Sequence, residues 1–214
     1  MKKYLALIVI FFSIIISVLI LEIGFRVFNL NSNIIYYSSN FYGYYHVPEQ
    51  NIMRRGEKIL IDKMGNRNNN NNTFQNSNLF FLGDSITYGG SAVSNEETFS
   101  FLTSKNLNEN YLNISANGWG IDNMLNFVEF YDLYKSNAIY ILTCFNDCFS
   151  RNLRKIEQNF LFQKKQSSAV LVVAQYFIYQ LNSYFSSYIQ ENYESISSEE
   201  AKLIMDFRLK DNFK

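Results

Sequence analysis

The chain begins with a long segment of apolar residues. After Lys2 and Lys3, the residues from Tyr4 to Leu21 carry no charge. As a helix this segment spans roughly 27 Å, close to the roughly 30 Å hydrocarbon core of a bilayer. Two lysines precede it and no small-x-small cleavage motif follows it. The pattern therefore predicts an uncleaved anchor over residues 1–28, with a cytoplasmic N-terminus and export of the rest. A cleaved signal peptide and a buried soluble helix are the competing interpretations.

The next region, residues 29–78, is polar and aromatic and has no sustained period. It includes the asparagine run 68–72, which predicts a solvated loop because it offers nothing to bury. We interpret 29–78 as a membrane-proximal collar or linker. The protein would then be a single-pass protein of the cell (inner) membrane, contacting the lipid bilayer through residues 4–21, with its domain on the extracytoplasmic side.

From Leu79 onward, short apolar runs alternate with amphipathic stretches. The pattern predicts strands at 78–83, 111–115 and 138–144 and helices at 96–107 and 121–135. In the second helix Met124, Phe127, Val128 and Tyr131 share one face, and Asp122 is the expected N-cap. Strands and helices alternating in this way predict an α/β domain over 79–214, with a parallel sheet covered by helices.

The last third of the chain is harder to interpret. Residues 169–190 favour a helix, although Val170–Val173 could begin a strand. Gln175, Gln180 and Asn182 argue against a second membrane span there. The charged tail predicts a further helix, capped by Ser197 or Ser198.

Composition excludes some functions. With 19 basic and 19 acidic residues the formal net charge is zero, so no nucleic-acid partner is indicated. Cys144 and Cys148, with one histidine in the chain, are too few ligands for a structural zinc site. A disulfide between them is possible outside the cytoplasm. It would close a very tight loop, so two free thiols are the favoured interpretation.

Each predicted strand leads into a candidate functional residue: Asp84-Ser85 after the first, Gly118 after the second, and Asn146-Asp147 after the third. In parallel sheets, ligands bind beyond the carboxyl ends of the strands. A serine hydroxyl there could attack an ester carbonyl, while backbone N–H groups of Ser85 and Gly118 and the amide of Asn146 stabilise the oxyanion. Taken singly, each motif is more often a turn, a loop or a helix cap than a functional site.

Together, three segments resemble the first three sequence blocks of the SGNH (GDSL-type) hydrolase superfamily: "FFLGDSITYGG" (80–90), "YLNISANGWGIDN" (111–123) and "IYILTCFND" (139–147). The stretches "YHVP" and "DKMGNR" are similar to those of its membrane-tethered members. The resemblance implies a flavodoxin-like, three-layer parallel sheet. It also implies a serine esterase with Ser85 as nucleophile, Gly118 and Asn146 in the oxyanion hole, and no cofactor or metal. The substrate would be an ester, such as an acylated glycan or lipid. Asp84 would orient the nucleophile loop or cap the next helix, and Asp147 would hold the Asn146 loop.

The family's D-x-x-H block, which supplies the general base, has no counterpart. No histidine follows Asp147, and Asp206 precedes "FRL". His46 lies in the collar, where a solvent-facing or locally hydrogen-bonded role is expected. The sheet also has three predicted strands where the family usually has five. The resemblance thus predicts an incomplete domain, apparently truncated at its C-terminus, with impaired or no activity. An O-acyltransferase of exported polysaccharide and a non-catalytic membrane-bound relic or scaffold remain open as alternatives.

Overall fold

A computed structural model describes residues 2–69, 72–144, 146–158 and 160–186. Its strands are β1 Tyr36–Ser39, β2 Gly43–His46, β3 Gln50–Arg54, β4 Glu57–Ile61, β5 Leu79–Gly83, β6 Tyr111–Ser115 and β7 Ile139–Thr143. Its α-helices are α1 Lys2–Val27, α2 Ser85–Tyr88, α3 Phe99–Leu107, α4 Ile121–Phe130 and α5 over 169–186. Short 3-10 helices lie at Asn95–Glu97, Leu133–Lys135, Asn146–Phe149 and Ile156–Gln158. The chain divides after Val172 into two compact units, and the first carries every element except most of α5.

Helix α1 contains the predicted anchor. Within its apolar part, Tyr4–Val27, an 18-residue stretch has a mean hydropathy of 3.1, and no residue of that stretch is buried by the rest of the protein. The hydroxyls of Ser13 and Ser17 donate to the carbonyls four residues earlier, so neither hydroxyl needs water. Among the described helices, α1 alone is long and apolar enough to span a membrane.

The central sheet is parallel, with strand order β6-β5-β7. Gly83 at the end of β5 is paired with Ser115 on one side and Thr143 on the other. All five residues of both β5 and β6 are buried, as expected from their apolar sequences. The three strands predicted from 79 onward are therefore confirmed to within one or two residues. Strand β7 is one of the two outer strands of the described sheet and exposes Ile139 and Leu142.

Helices cover both faces of this sheet. Alternate residues of β5 point to opposite sides, so each face of the sheet carries apolar side chains that a helix can bury. Phe80 and Leu82 belong to the large core with Met124 and Phe127 of α4. A smaller cluster with the aromatic rings of α3 forms around Leu79, Phe81 and Tyr111. The predicted apolar face of α4 is confirmed: Met124 and Phe127 are buried, and Val128 and Tyr131 pack against the same core.

The predicted collar is more ordered than its sequence indicates. It contains two antiparallel hairpins, β1–β2 and β3–β4. Tyr44, Tyr45 and Ile59 from these hairpins are fully buried in the same core as Phe80 and Trp119. The hairpins therefore form part of the folded domain. Their sequence is aromatic and lacks the alternation of apolar and polar residues that would predict strands.

The asparagine run also differs from its prediction as a solvated loop. Asn68 and Asn72 are buried, and Asn72 Nδ2 donates to the carbonyl of Tyr111 at 2.9 Å. An asparagine can replace a missing backbone partner in this way, so burial costs it little. Asn70 and Asn71 lie outside the described residues.

Of four further local predictions, two are wrong, one is confirmed and one lies outside the described residues. Gly120, not Asp122, is the N-cap of α4, and Asn123 supplies the side chain that accepts from the Gly120 N–H. Cys144 and Cys148 are joined in a disulfide across a Cα–Cα distance of 6.1 Å, whereas we expected free thiols. Residues 169–186 are helical, as favoured from the sequence. The predicted tail helix at Ser197 or Ser198, and Asp206, lie outside the described residues.

Candidate active site

The loops that follow β5, β6 and β7 meet at one edge of the sheet. Gly83, Ser115 and Thr143 are adjacent across the three strands, so their loops leave the sheet at the same level. Neighbouring strands lie about 4.8 Å apart. The topology therefore brings the backbone of Ser85, Gly118 and Asn146 to the same edge.

Ser85 is exposed at the first turn of α2. Asp84 caps this helix: its Oδ1 accepts from the Ile86 N–H at 2.9 Å, one of the two roles expected of it. Gly83 allows the tight turn, because a Cβ there would lie 1.8 Å from Thr87 Oγ1 and 2.2 Å from the Thr143 carbonyl oxygen. In Gly-Asp-Ser, the glycine allows close packing and the aspartate caps the helix. Neither role involves Ser85, whose side chain faces solvent.

Two hydrogen bonds fix α2 to the strands on either side of β5. Thr87 Oγ1 donates to the Thr143 carbonyl at the end of β7, at 2.5 Å. Asn113 Nδ2, on β6, donates to the Thr87 carbonyl at 2.7 Å and to Ser100 Oγ at 3.0 Å. Asn113 is fully buried, so these bonds are shielded from water. The short helix that carries Ser85 is therefore held relative to all three strands.

The Gly118 loop follows β6 directly. Gly118 has φ +79°, a left-handed conformation that glycine adopts without strain. Trp119 on its other side is fully buried, stacks on Tyr45, and donates from Nε1 to the Tyr44 carbonyl at 3.0 Å. The β1–β2 hairpin of the collar therefore anchors the loop through its contacts with Trp119. Gly118 itself remains half-buried.

Asn123 connects the Gly118 loop with two other segments. Its Oδ1 accepts from the backbone N–H groups of Gly120 and Arg154, both at 3.0 Å. Its Nδ2 donates to the carbonyls of Tyr42 and Arg154, at 2.9 and 2.8 Å. Four bonds from one buried amide join the loop after β6, the collar, and the segment that follows β7.

Arg151 adds positive charge at the same edge. Its Nη1 lies 3.7 Å from Asp84 Oδ2 and donates to the Trp119 carbonyl at 3.2 Å. The side chain of Asp84 is almost fully buried, whereas that of Arg151 is 22% exposed. The guanidinium thus links the Ser85 loop to the Gly118 loop and partly faces solvent.

The third loop begins at Cys144. The 3-10 helix Asn146–Phe149 follows β7 immediately, and the disulfide to Cys148 spans its first half. The side chains of Asn146 and Asp147 lie outside what the structure describes, so their predicted roles stay predictions. The backbone alone places Asn146 beyond the strand end, at the edge occupied by Ser85.

Arg67 holds the loop that follows α2. It is almost fully buried, and its guanidinium donates to the carbonyls of Tyr88, Gly90 and Val93 at 2.7, 2.6 and 2.5 Å. Its Nε donates to Asn95 Oδ1 at 3.0 Å, and the group lies 4.9 Å from the centre of the Tyr88 ring. One side chain from the collar therefore satisfies three loop carbonyls directly after the helix of Ser85.

His46 is enclosed in the core of the protein. It is fully buried on β2, its Nδ1 lies 2.9 Å from the Gly65 carbonyl oxygen, and its ring packs on Tyr36, Tyr45 and Tyr88. Its Nε2 is buried without a hydrogen-bond partner among the described residues. Burial lowers its pKa from the usual 6.5 to about 4, with the Gly65 bond opposing the shift and Arg67 adding to it. His46 is thus a neutral core residue with a local hydrogen bond.

Sequence reasoning missed the residues that support this edge: Arg67, Thr87, Asn113, Asn123 and Arg151. Arg67 ends the "DKMGNR" stretch, whose sequence indicates only a similarity to membrane-tethered SGNH members and no structural role. A polar residue within an apolar strand, such as Asn113, is a signal that could have been used, since a buried amide needs partners.

Comparison with known proteins gives no further guidance, because no protein-family model, no curated protein and no solved structure matches the chain.

Proposed function

We propose that the protein is a membrane-anchored serine ester hydrolase of the SGNH type, with Ser85 as its nucleophile. The observation that carries the proposal is the register of the three strands. Gly83 is paired with both Ser115 and Thr143, so the loops bearing Ser85, Gly118 and Asn146 leave the sheet side by side. The three sequence blocks of the resemblance correspond to these three loops.

The strand order supports the same fold assignment. With β5 as the first strand of the sheet, β6-β5-β7 is the order 2-1-3, with which flavodoxin-like sheets begin. In such sheets the ligand crevice opens where the chain turns to opposite faces, between strands one and three. Here that position lies between β5 and β7, next to Ser85 and the Asn146 loop.

The proposed reaction is acyl transfer to serine and then to water. Ser85 Oγ attacks the ester carbonyl carbon and loses its proton, and the alcohol leaves with a proton to give an acyl-serine. Water then attacks the acyl-serine, releasing the carboxylic acid and restoring the hydroxyl. The backbone N–H groups of Ser85 and Gly118 and the Asn146 amide would stabilise each oxyanion. Arg151 would add positive charge beside them.

The proton from Ser85 needs a base, and none of the described residues at this edge is a histidine. His46 is neutral, fully buried and bonded to Gly65. Without a base, the oxyanion donors and substrate binding supply only a residual acceleration, roughly 10³–10⁴-fold over water in a serine hydrolase without its triad. We therefore expect slow hydrolysis that an external base accelerates.

Helix α1 and the disulfide support the proposed location. The lysines before α1 favour a cytoplasmic N-terminus, and the domain would then lie outside. A disulfide between Cys144 and Cys148 is stable in an oxidising compartment, which supports this orientation.

The test is hydrolysis of p-nitrophenyl acetate by the full chain in detergent, with and without imidazole. We expect a slow Ser85-dependent rate that imidazole raises by more than it raises the rate of Ser85→Ala. Ser91→Ala, a half-buried serine of the following loop, is the matched control and should retain the wild-type rate. Equal rates for wild type and Ser85→Ala at every imidazole concentration would overturn the proposal.

A further inference from the structure

Helix α5 begins at a contact with α1. Glu22 of α1 accepts hydrogen bonds from Ser168 Oγ at 2.8 Å and from the N–H groups of Ala169 and Val170 at 3.0 and 2.9 Å. Arg26 pairs with the same carboxylate at 2.7 Å and also donates to the Ser167 carbonyl. A carboxylate satisfying the free N–H groups of a first turn is a strong helix cap. The start of α5 is therefore fixed to one position on α1.

That position is the edge of the proposed membrane span. Glu22 is the first charged residue after the uncharged segment from Tyr4 to Leu21. If α1 crosses the bilayer, Glu22 and Arg26 lie at the level of the lipid headgroups, where charged side chains remain hydrated. Helix α5 thus starts at the headgroup level.

The sequence of α5 suits that level. No charged residue occurs from Gln166 to Gln190. At 100° per residue, one broad arc contains only apolar or aromatic residues apart from Gln180, and the opposite arc is mainly polar. The apolar arc includes Val173, Phe177, Ile178, Leu181 and Phe185; the polar arc includes Gln175, Asn182 and Ser186.

The apolar arc is uncovered. Phe177, Ile178 and Phe185 are each more than half exposed, and Leu181 is 41% exposed. Solvent exposure of several large apolar side chains on one arc is unfavourable, because their contact with water costs free energy. A surface of this kind indicates a partner.

We propose that α5 is an amphipathic helix that lies in the membrane interface, with its apolar arc against the acyl chains. The lipid bilayer covers the apolar arc, because the capping contact with Glu22 holds the first turn of α5 at the headgroups. Tyr184, on the apolar arc, has the apolar ring and polar hydroxyl favoured at this depth. The exposed Lys164 and Lys165, just before the helix, would meet lipid phosphates. The polar arc, which does not suit a crossing helix, would face water.

The experiment measures the depth of a tryptophan introduced on each arc. Full-length Phe177→Trp and Gln175→Trp would be reconstituted in phosphatidylethanolamine–phosphatidylglycerol vesicles with lipids brominated near the headgroup or near the chain end. The parent's fully buried Trp119 gives the background to subtract. We expect the added emission of Phe177→Trp to be blue-shifted and to be lost mostly with headgroup-proximal bromine. The added emission of Gln175→Trp should be little affected.

Two other outcomes would overturn the proposal. If neither tryptophan is quenched, protein rather than lipid covers the helix. If both are quenched most by bromine near the chain end, α5 crosses the membrane; alkaline phosphatase fused after Lys214 would then be inactive, whereas an interfacial α5 leaves it outside and active. Neither readout depends on Ser85, so failure here is distinct from failure of the proposed hydrolase activity.

Discussion

The hydroxyl of Thr87 donates a 2.5 Å hydrogen bond to the carbonyl oxygen of Thr143, and this bond ties the helix of Ser85 to the end of β7. Thr87 follows Ser85 by two residues, and Thr143 precedes Asn146 by three. The proposed nucleophile and the proposed oxyanion amide are thus joined through one buried side chain. The spacing between their loops depends on it.

Replacement of Thr87 by valine should weaken this connection. The valine keeps the shape but removes the hydroxyl, leaving the Thr143 carbonyl without this donor, so unfolding free energy should fall by about 1–2 kcal/mol. Thr87→Ser keeps the hydroxyl and should lose less. Chemical denaturation of the full chain in detergent measures both. A Thr87→Val variant as stable as the wild type would show that the hydroxyl contributes nothing.

Arg67 should be the most sensitive residue of the collar. Arg67→Met removes the donor for three carbonyls and for Asn95 while keeping an apolar stem, and we expect a loss of about 3 kcal/mol in unfolding free energy. Arg55, exposed in the β3–β4 turn, offers the matched control, and Arg55→Met should change stability by less than about 0.5 kcal/mol. Similar losses of stability in both variants would contradict the role of Arg67 in holding the loop after α2.

Asn123 should matter more than its neighbour Asn126, one turn further along α4. Asn123→Ala leaves two N–H groups and two carbonyls without their partner, and a loss of about 2–4 kcal/mol is expected. Asn126→Ala removes a single 3.1 Å bond to the Phe41 carbonyl, so its effect should stay below about 1 kcal/mol. Thermal unfolding of the two variants separates these expectations. An Asn126→Ala loss as large as that of Asn123→Ala would contradict the role of Asn123.

His46 should make the protein sensitive to acid. Its pKa is lowered by burial from 6.5 to about 4, so the unfolded chain binds its proton more readily than the folded one. Stability from this group is therefore full above about pH 6.5 and falls as the pH drops toward 4, with a loss of about 2 kcal/mol between pH 7 and pH 5.

The carboxylates also titrate in this range, so the informative quantity is a difference between variants. His46→Phe keeps an aromatic ring between the tyrosines and removes the titration. From pH 7 to pH 5 we expect the wild type to lose about 2 kcal/mol more unfolding free energy than His46→Phe. Parallel pH profiles would mean that His46 is protonated in the folded state or contacts water.

The strands and α4 could be predicted because apolar runs and helical spacing are local signals. The hairpins of residues 36–61 could not, because Tyr44 and Tyr45 are both buried and show no alternation of apolar and polar residues. Their burial depends on Trp119 and Phe127, far away in sequence. The buried asparagines of the run after Arg67 are similar: their partners, such as Tyr111, belong to other elements.

At the candidate site, the positions of Ser85, Gly118 and the Asn146 backbone follow from strand ends, which sequence can locate. The supporting bonds of Thr87, Asn113 and Asn123 do not, because each depends on a distant backbone group. The disulfide was also missed: Cys144 and Cys148 lie four residues apart, but the 3-10 turn after β7 brings their Cα atoms to 6.1 Å.

The most direct measurement of the central claim is covalent labelling of the full chain with a fluorophosphonate, followed by peptide mass spectrometry. We expect the label on Ser85, faster attachment with imidazole, and loss of the label in Ser85→Ala but not in Ser91→Ala. Labelling spread over several serines at equal rates, or unchanged in Ser85→Ala, would contradict the assignment of Ser85 as a nucleophile.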